Sequence, residues 1–305
     1  MGDVDPLMER PMRIALAQID CRLGNIPANL ATHGEALRSA REAAADFTLF
    51  PELSLTGYRL RSSINRVMLT DDELQEMTRR LCDAGALGAE QYAAFGCVEL
   101  SPRAVVYNTT LLIQGCAPAP RFRHRKVYLP SYGMFEEERY MHPGDRFRTL
   151  DVLLKDGETW RIGVLCCEDA WHDSAWLIMQ ARGVDLVLVP SASPGRGVEN
   201  ERLGSQQSWH GILRTQAEFC GCYVAHCNRV GFEDDIHFWG GSAVFAPTGE
   251  IVAEGKIMGP DLVLCDLDKR VLTRTRVATP LIADENWDLT LRELRLAREE
   301  VVRGD

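Results

Sequence analysis

What most limits the folds open to this chain is a set of short apolar runs that stop abruptly on a proline or on acidic residues. Residues 47–50 end at Pro51, residues 184–189 end at Pro190, and residues 160–167 pass through Cys166 and Cys167 into Glu168 and Asp169. Runs this short and this predominantly apolar read as strands covered on both faces, because a half-exposed strand would alternate with polar residues. Further strands are expected at 12–19, 91–100, 105–113, 222–228 and 262–267. Ser101-Pro102-Arg103 is a turn between two of them, and Pro247-Thr248-Gly249 is a hairpin signal between 242–246 and 250–253. Helical spacing is found at 29–45, 174–182 and 203–219. Residues 128–148, with Pro130, Gly133, Pro143 and Gly144, read as a long loop, and the charged, leucine-rich sequence from Trp287 onward reads as a C-terminal helix or arm. Strands and helices mixed in this way predict an α/β sandwich with helices covering sheets. No Gly/Ser/Pro linker or internal repeat divides the chain, so one domain is expected over 1–305, with 285–305 as its arm.

Composition permits such a core: 46% of the 305 residues are hydrophobic. The formal net charge of -10 sets the surface against nucleic acid and anionic membrane, so neither is expected as a partner. The start, Met1 to Pro6, is acidic and has no apolar stretch behind it, so no secretory signal is expected. Pro6 stands where a myristoylation signal wants Ser or Thr. No apolar segment approaches the roughly 20 residues that cross a bilayer. A soluble, cytoplasmic protein is expected. The ten cysteines include no Cys-x-x-Cys pair, and several, such as Cys97 and Cys265, sit inside apolar runs. They read as reduced core filling, and no metal or other cofactor is expected.

Three segments carry candidate chemistry. In Phe50-Pro51-Glu52-Leu53-Ser54-Leu55-Thr56-Gly57-Tyr58, a glutamate sits where a buried strand emerges. In Arg125-Lys126-Val127-Tyr128-Leu129-Pro130, a lysine follows an arginine. Either residue alone is more often a solvated charge. In Ile162-Gly163-Val164-Leu165-Cys166-Cys167-Glu168-Asp169-Ala170-Trp171, a thiol stands on a turn into a helix, where N-terminal amides favour its thiolate. A buried strand followed by an acidic helix cap is the plain alternative there. The seven histidines show no pair at metal-ligand spacing. His237-Phe238-Trp239 reads as packing rather than as a pocket wall.

Taken together, Glu52 in its PELSLTGY context, Lys126 in RKVYLP and Cys167 in GVLCCED have the order and surroundings of the carbon–nitrogen hydrolase (nitrilase) superfamily, which the chain resembles over nearly its whole length. Asn228-Arg229-Val230-Gly231 and Gly240-Gly241-Ser242 look like the family's late strand and hairpin. The resemblance implies a four-layer αββα sandwich, a homodimer or higher homo-oligomer, and a Glu-Lys-Cys triad of Glu52, Lys126 and Cys167. The family pattern places Asp two residues after the nucleophile, which fits Cys167 and makes Cys166 its apolar predecessor. Glu137 matches a second family glutamate, while Glu136 and Glu138 read as solvated.

The implied reaction is hydrolysis of a small amide through a cysteine thioester. Glu52 would move the proton, with Lys126 and the Glu168 N–H holding the oxyanion. The motifs are most similar to the glutaminase domain of glutamine-dependent NAD synthetase, and the segment Ser191 to Pro194 resembles that domain's glutamine-contacting stretch. On that likeness Tyr58, Tyr132, Glu168, Trp171, Ser193 and Arg196 are expected to bind substrate. The segment after Pro194 is shorter than in that domain, and the chain is expected to stop where a synthetase domain would begin. Nitrile or N-carbamoyl amine hydrolysis would share the triad. An acyltransferase would use the same thioester, and a non-catalytic scaffold would normally lack a triad member.

Overall fold

The computed structural model describes residues 10–117, 119–199 and 202–303. The expectations for Met1 to Pro6 and for the last residues of the arm lie outside the described residues.

Among the described residues sixteen strands and eight α-helices follow one another. They are β1 (Met12–Gln18), α1 (Ile26–Glu42), β2 (Phe47–Leu49), α2 (Asp71–Asp83), β3 (Tyr92–Leu100), β4 (Val106–Gln114), β5 (Phe122–Arg125), α3 (Glu137–Tyr140), β6 (Thr149–Leu153), β7 (Thr159–Val164), α4 (Asp173–Ala181) and β8 (Leu186–Ser191). After them come β9 (Val198–Glu199), β10 (Arg202–Leu203), α5 (Gly204–Cys220), β11 (Tyr223–Asn228), β12 (Val230–Glu233), β13 (Ile236–Trp239), β14 (Ala243–Phe245), β15 (Ile251–Glu254), β16 (Asp261–Leu267), α6 (Lys269–Ala278), α7 (Leu281–Asp284) and α8 (Trp287–Arg303). Short 3₁₀ turns lie at Arg61–Arg66 and Cys167–Trp171.

Two six-stranded sheets have the orders β16-β1-β2-β3-β4-β5 and β15-β14-β11-β8-β7-β6. Each has a parallel trio at its centre, β1-β2-β3 and β11-β8-β7, flanked by antiparallel strands. Side-chain alternation explains the layering. In β1, Met12, Ile14 and Leu16 point into a core shared with Trp160, Ile162, Leu186, Leu188 and Ala225 of the other sheet. The small residues Ala15 and Ala17 face the opposite way, towards the helices. Leu37 of α1 and Leu74 and Leu81 of α2 cover that outer face, and Trp176 of α4 with Trp209 and Leu213 of α5 cover the outer face of the second sheet. Helix, sheet, sheet and helix stack as four layers, the expected αββα sandwich. Each fully buried Leu, Ile or Phe contributes on the order of 1.5–3 kcal/mol to holding them together.

Several boundaries differ from expectation for local reasons. Helix α1 starts at Ile26, three residues before the predicted start, because the Asn25 side chain accepts the Ala28 N–H at 3.1 Å and Pro27 suits a first turn. Helix α2 went unrecognised although Thr70 and Glu73 form a capping box at its start. Strand β5 went unrecognised because three of its four residues are basic. Strand β8 does not stop at Pro190. The Leu188 carbonyl accepts Leu165 N on the β7 side and the Ser191 carbonyl accepts Arg229 N on the β11 side. The missing N–H of Pro190 therefore faces the side where β7 has already ended, so the strand loses no hydrogen bond there.

The cysteines bring another correction. Cys82, at the end of α2, is joined by a disulfide to Cys116, just past β4, across a sequence separation of 34. The expectation that every thiol is free fails at this pair, and the other eight are free. Closing such a loop typically contributes about 2–4 kcal/mol by restricting the unfolded chain. Among the described residues no helix is long and apolar enough to cross a membrane. Helix α8 leaves Leu289, Leu291, Leu294 and Leu296 exposed.

Candidate active site

The loop carrying Glu52 follows β2 and is held from three sides. Leu55 N donates to the Gly96 carbonyl at 3.0 Å, Gly96 N donates to Ser54 Oγ at 3.3 Å, and His33 Nε2 lies 2.9 Å from the same oxygen. Burial holds the His33 imidazolium down to about 4, so the ring is neutral in this role. Gly96 is required by contact distance: a Cβ there would lie 2.1 Å from Leu53 N. Gly96→Ala must therefore push the Glu52–Leu53 backbone outward. Loss of about 100-fold in turnover is expected from a displacement near 1 Å, together with a lower melting temperature, and kinetics with thermal unfolding check both.

Lys126 follows β5, and its backbone N–H donates to the Asn108 carbonyl at 2.8 Å. Its ammonium is fully buried and donates to Glu52 Oε1 and to Glu137 Oε1, each at 2.7 Å. Asn108 Nδ2 also donates to Glu52 Oε1 at 2.7 Å and lies 3.5 Å from Glu137 Oε2, while Ala192 N donates to Glu52 Oε2 at 3.0 Å. The Tyr58 hydroxyl donates to Glu137 Oε1 at 2.5 Å. Burial acts to neutralise Lys126, but Glu137 and Glu52 hold its proton well above the ordinary lysine range. One ammonium faces two carboxylates. Burial pushes Glu137 up to about 7, Lys126 opposes, and the charge of Glu52 adds to the rise. Glu136 and Glu138 are exposed, as expected.

Cys167 opens the 3₁₀ turn after β7 with φ of 47°, a left-handed conformation that costs a non-glycine residue about 1–3 kcal/mol and is tolerated where the surroundings enforce it. Asp169 does the enforcing. It is fully buried and accepts Cys166 N at 3.0 Å, His124 Nε2 at 2.7 Å, and Val127 N and Tyr128 N at 2.9 Å each. One carboxylate thus ties the lysine segment to the cysteine turn. The helix-start amides do not prevail over burial at this thiol. Burial, then the charge of Glu52, pushes the Cys167 thiol well above its ordinary range, and Lys126 only partly offsets them. The group is a thiol that needs a base at the moment of attack.

Cys167 borders a cavity of about 460 Å³ whose walls include Tyr132, Phe135, Glu168, Trp171, Ser193, Arg196 and Trp209, while Cys166 is core. Five of the six residues expected to bind substrate therefore meet at one cavity. Tyr58 is the correction: it is not part of that lining, and its hydroxyl is held by Glu137 behind the cysteine. The Tyr132 hydroxyl donates to Glu168 Oε2 at 2.9 Å, and Ser193 Oγ accepts Trp209 Nε1 at 2.8 Å. The Arg196 guanidinium lies 4.8 Å from the Phe135 ring centroid and has no carboxylate partner among the described residues. Gly204, Ser205, Gln207 and Ser208, from the first turns of α5, complete the wall beside it. Sequence reasoning missed Asn108, the positioning role of Asp169 and this helix start. The one available signal was Asn108-Thr109-Thr110, a polar interruption of an apolar strand. Among the described residues no group of three His, Cys, Asp or Glu side chains could hold a metal ion.

Comparison with known proteins places this geometry. The family model for carbon-nitrogen hydrolases matches residues 13–277. Among curated relatives, the glutamine-dependent NAD(+) synthetase of Thermotoga maritima is 28% identical over 271 residues, covering 88% of this chain and 44% of the relative. That of Xanthomonas campestris pv. campestris is 30% identical over 296 residues, covering 96% and 49%. The chain thus spans about half the length of the curated relatives it matches. Among solved structures, the glutamine-dependent NAD+ synthetase of Acinetobacter baumannii superposes with a TM-score of 0.74 at 27% identity, covering 86% of this chain and 47% of that one. Saccharomyces cerevisiae Nit3, of the nitrilase superfamily, superposes at 0.73 with 23% identity, covering 90% and 96%, a likeness of fold.

Proposed function

This chain belongs to the carbon–nitrogen hydrolase family, and from that premise we propose that it hydrolyses the terminal amide of a small, carboxylate-bearing, glutamine-like substrate to acid and ammonia. The observation that carries the reading is a thiol beside a buried Glu52–Lys126–Glu137 cluster, opening on a cavity whose wall holds an arginine with no carboxylate partner among the described residues. Glutamine-dependent relatives support the choice of amide.

The steps follow from the groups present. Glu52 takes the Cys167 proton as Sγ bonds to the amide carbon, and the carbonyl electron pair moves onto oxygen. Lys126 has three N–H donors, of which Glu52 and Glu137 take two, leaving one for that oxyanion beside the Glu168 backbone N–H. Glu52 returns its proton to the nitrogen, the carbon–nitrogen bond breaks and ammonia leaves a thioester. Water then adds to the thioester, its proton passing to Glu52, and collapse expels the sulfur, which recovers the proton as the acid departs.

Ammonia release from a panel of amides, nitriles and N-carbamoyl amines tests the reading. Turnover of carboxylate-bearing primary amides is expected; a panel in which nitriles react and amides do not would overturn it. Arg196→Ala should lower the preference for a carboxylate-bearing amide over a neutral one of equal size by about 10–100-fold, the weight of a hydrogen bond to a charged group. An unchanged ratio of kcat/KM values would remove Arg196 from the site. The exposed leucines of α8 fit a homo-oligomer in which a second copy covers them, and a monomeric mass in solution would exclude that.

A further inference from the structure

We propose that Asn108 is a positioning residue that decides which oxygen of Glu52 works as the base. The inference rests on Glu52 accepting the Cys167 proton. Asn108 is buried near the start of β4 and holds both Glu52 and the backbone of Lys126. Its backbone carbonyl accepts Lys126 N at 2.8 Å, and its Nδ2 donates to Glu52 Oε1 at 2.7 Å. The orientation of the amide is fixed by chemistry, because carboxylate oxygens accept and Nδ2 is the half that donates. Its Oδ1 is buried with no partner among the described residues, so the side chain's hydrogen bonding is concentrated in the donor half.

Counting acceptor positions gives the consequence. Each carboxylate oxygen has two in-plane lone pairs. On Oε1 of Glu52, Lys126 Nζ fills one and Asn108 Nδ2 the other. On Oε2, Ala192 N fills one and leaves one. That remaining position on Oε2 receives the thiol proton. Without Asn108 a second position opens on Oε1, beside the Lys126 ammonium, and a proton placed there is misdirected. Asn108 also supplies a hydrogen bond to the ionised carboxylate, which its replacement removes.

The test reads Cys167 directly and needs no known substrate. Iodoacetamide alkylation of Cys167 is followed by mass spectrometry from pH 5 to 9 in the native chain, Asn108→Leu, Asn108→Ala and Glu52→Gln, with thermal melting alongside. Asn108→Leu retains the side-chain volume, and Asn108→Ala reads the same limb if leucine does not pack. Either variant should move the acid limb of the profile upward by roughly one pH unit and lower the plateau rate about tenfold, while the Glu52→Gln chain loses the limb. A limb that stays in place in the Asn108 variants while Glu52→Gln abolishes it overturns the role of Asn108 and leaves Glu52 as base. A limb that survives in Glu52→Gln overturns both.

Discussion

Lys126→Met will leave a chain that melts far below the native protein and releases no measurable ammonia at neutral pH. Two separate losses add. The first is structural: Glu52 and Glu137 are buried, and both accept a hydrogen bond from the same ammonium at 2.7 Å. Removing one partner of a buried pair typically costs about 3–5 kcal/mol because the remaining charge has no compensation. The second is chemical, since loss of one oxyanion donor costs about 2.7–4 kcal/mol of barrier, or roughly 100- to 1000-fold in rate.

The two losses separate by pH. In the Lys126→Met chain both carboxylates sit buried without a cation, so the folded form binds protons more tightly than the unfolded one. A folded-state carboxylate raised above its unfolded value destabilises progressively as pH rises through that window and recovers as pH falls. The native chain shows the direction already, with Glu137 held up to about 7 by burial even beside Lys126. Melting of Lys126→Met should therefore improve from pH 7.5 to 5.5 relative to the native chain, while activity stays lost throughout. Equal melting of the two chains at pH 7.5 would show that the three groups do not share a buried site.

How much of this arrangement could be read from the sequence depends on the kind of constraint. Glu52 and Cys167 stand where apolar strands break off, and such punctuation is local, so it survives in one dimension. The layering was legible for the same reason, because runs such as 186–189 have no polar alternation to spare for solvent. Asn108 lies near the start of β4, and its meaning comes from Glu52 and Lys126, which reach it only through the register of β4 with β5 and the loop after β2. The Cys82–Cys116 bond likewise depends on where α2 ends relative to β4. At Cys167 a turn into a helix was visible in the sequence, but the depth of burial and the second carboxylate acting on the sulfur were not. Tyr58 was expected to bind substrate, and the fold instead turns its hydroxyl to Glu137.

Replacing each of the adjacent cysteines in turn gives the other large effect. Cys167→Ala should lose roughly 10⁴- to 10⁶-fold in turnover while melting close to the native chain, because Cys166, the neighbouring thiol near Glu52, does not line the cavity. Cys166→Ala should stay within about tenfold of native activity and lose about 1 kcal/mol of stability, the effect of trimming a small core side chain. Eight cysteines are free and seven of them are buried, so burial does not single one out. Desolvation raises the thiol at both 166 and 167 and the charge of Glu52 adds to the rise at both, so what sets the nucleophile apart from an inert core cysteine is a path for substrate. Cys167 alone of the eight lines the 460 Å³ cavity. Its left-handed backbone, clamped through Asp169, presents the sulfur there, and Cys166 one residue earlier is held in extended geometry with its side chain in the core. Kinetics on the most reactive amide of the panel, with melting curves for both variants, decide the assignment. An active Cys167→Ala beside a dead Cys166→Ala would place the nucleophile one residue earlier and undo the proton path through Glu52.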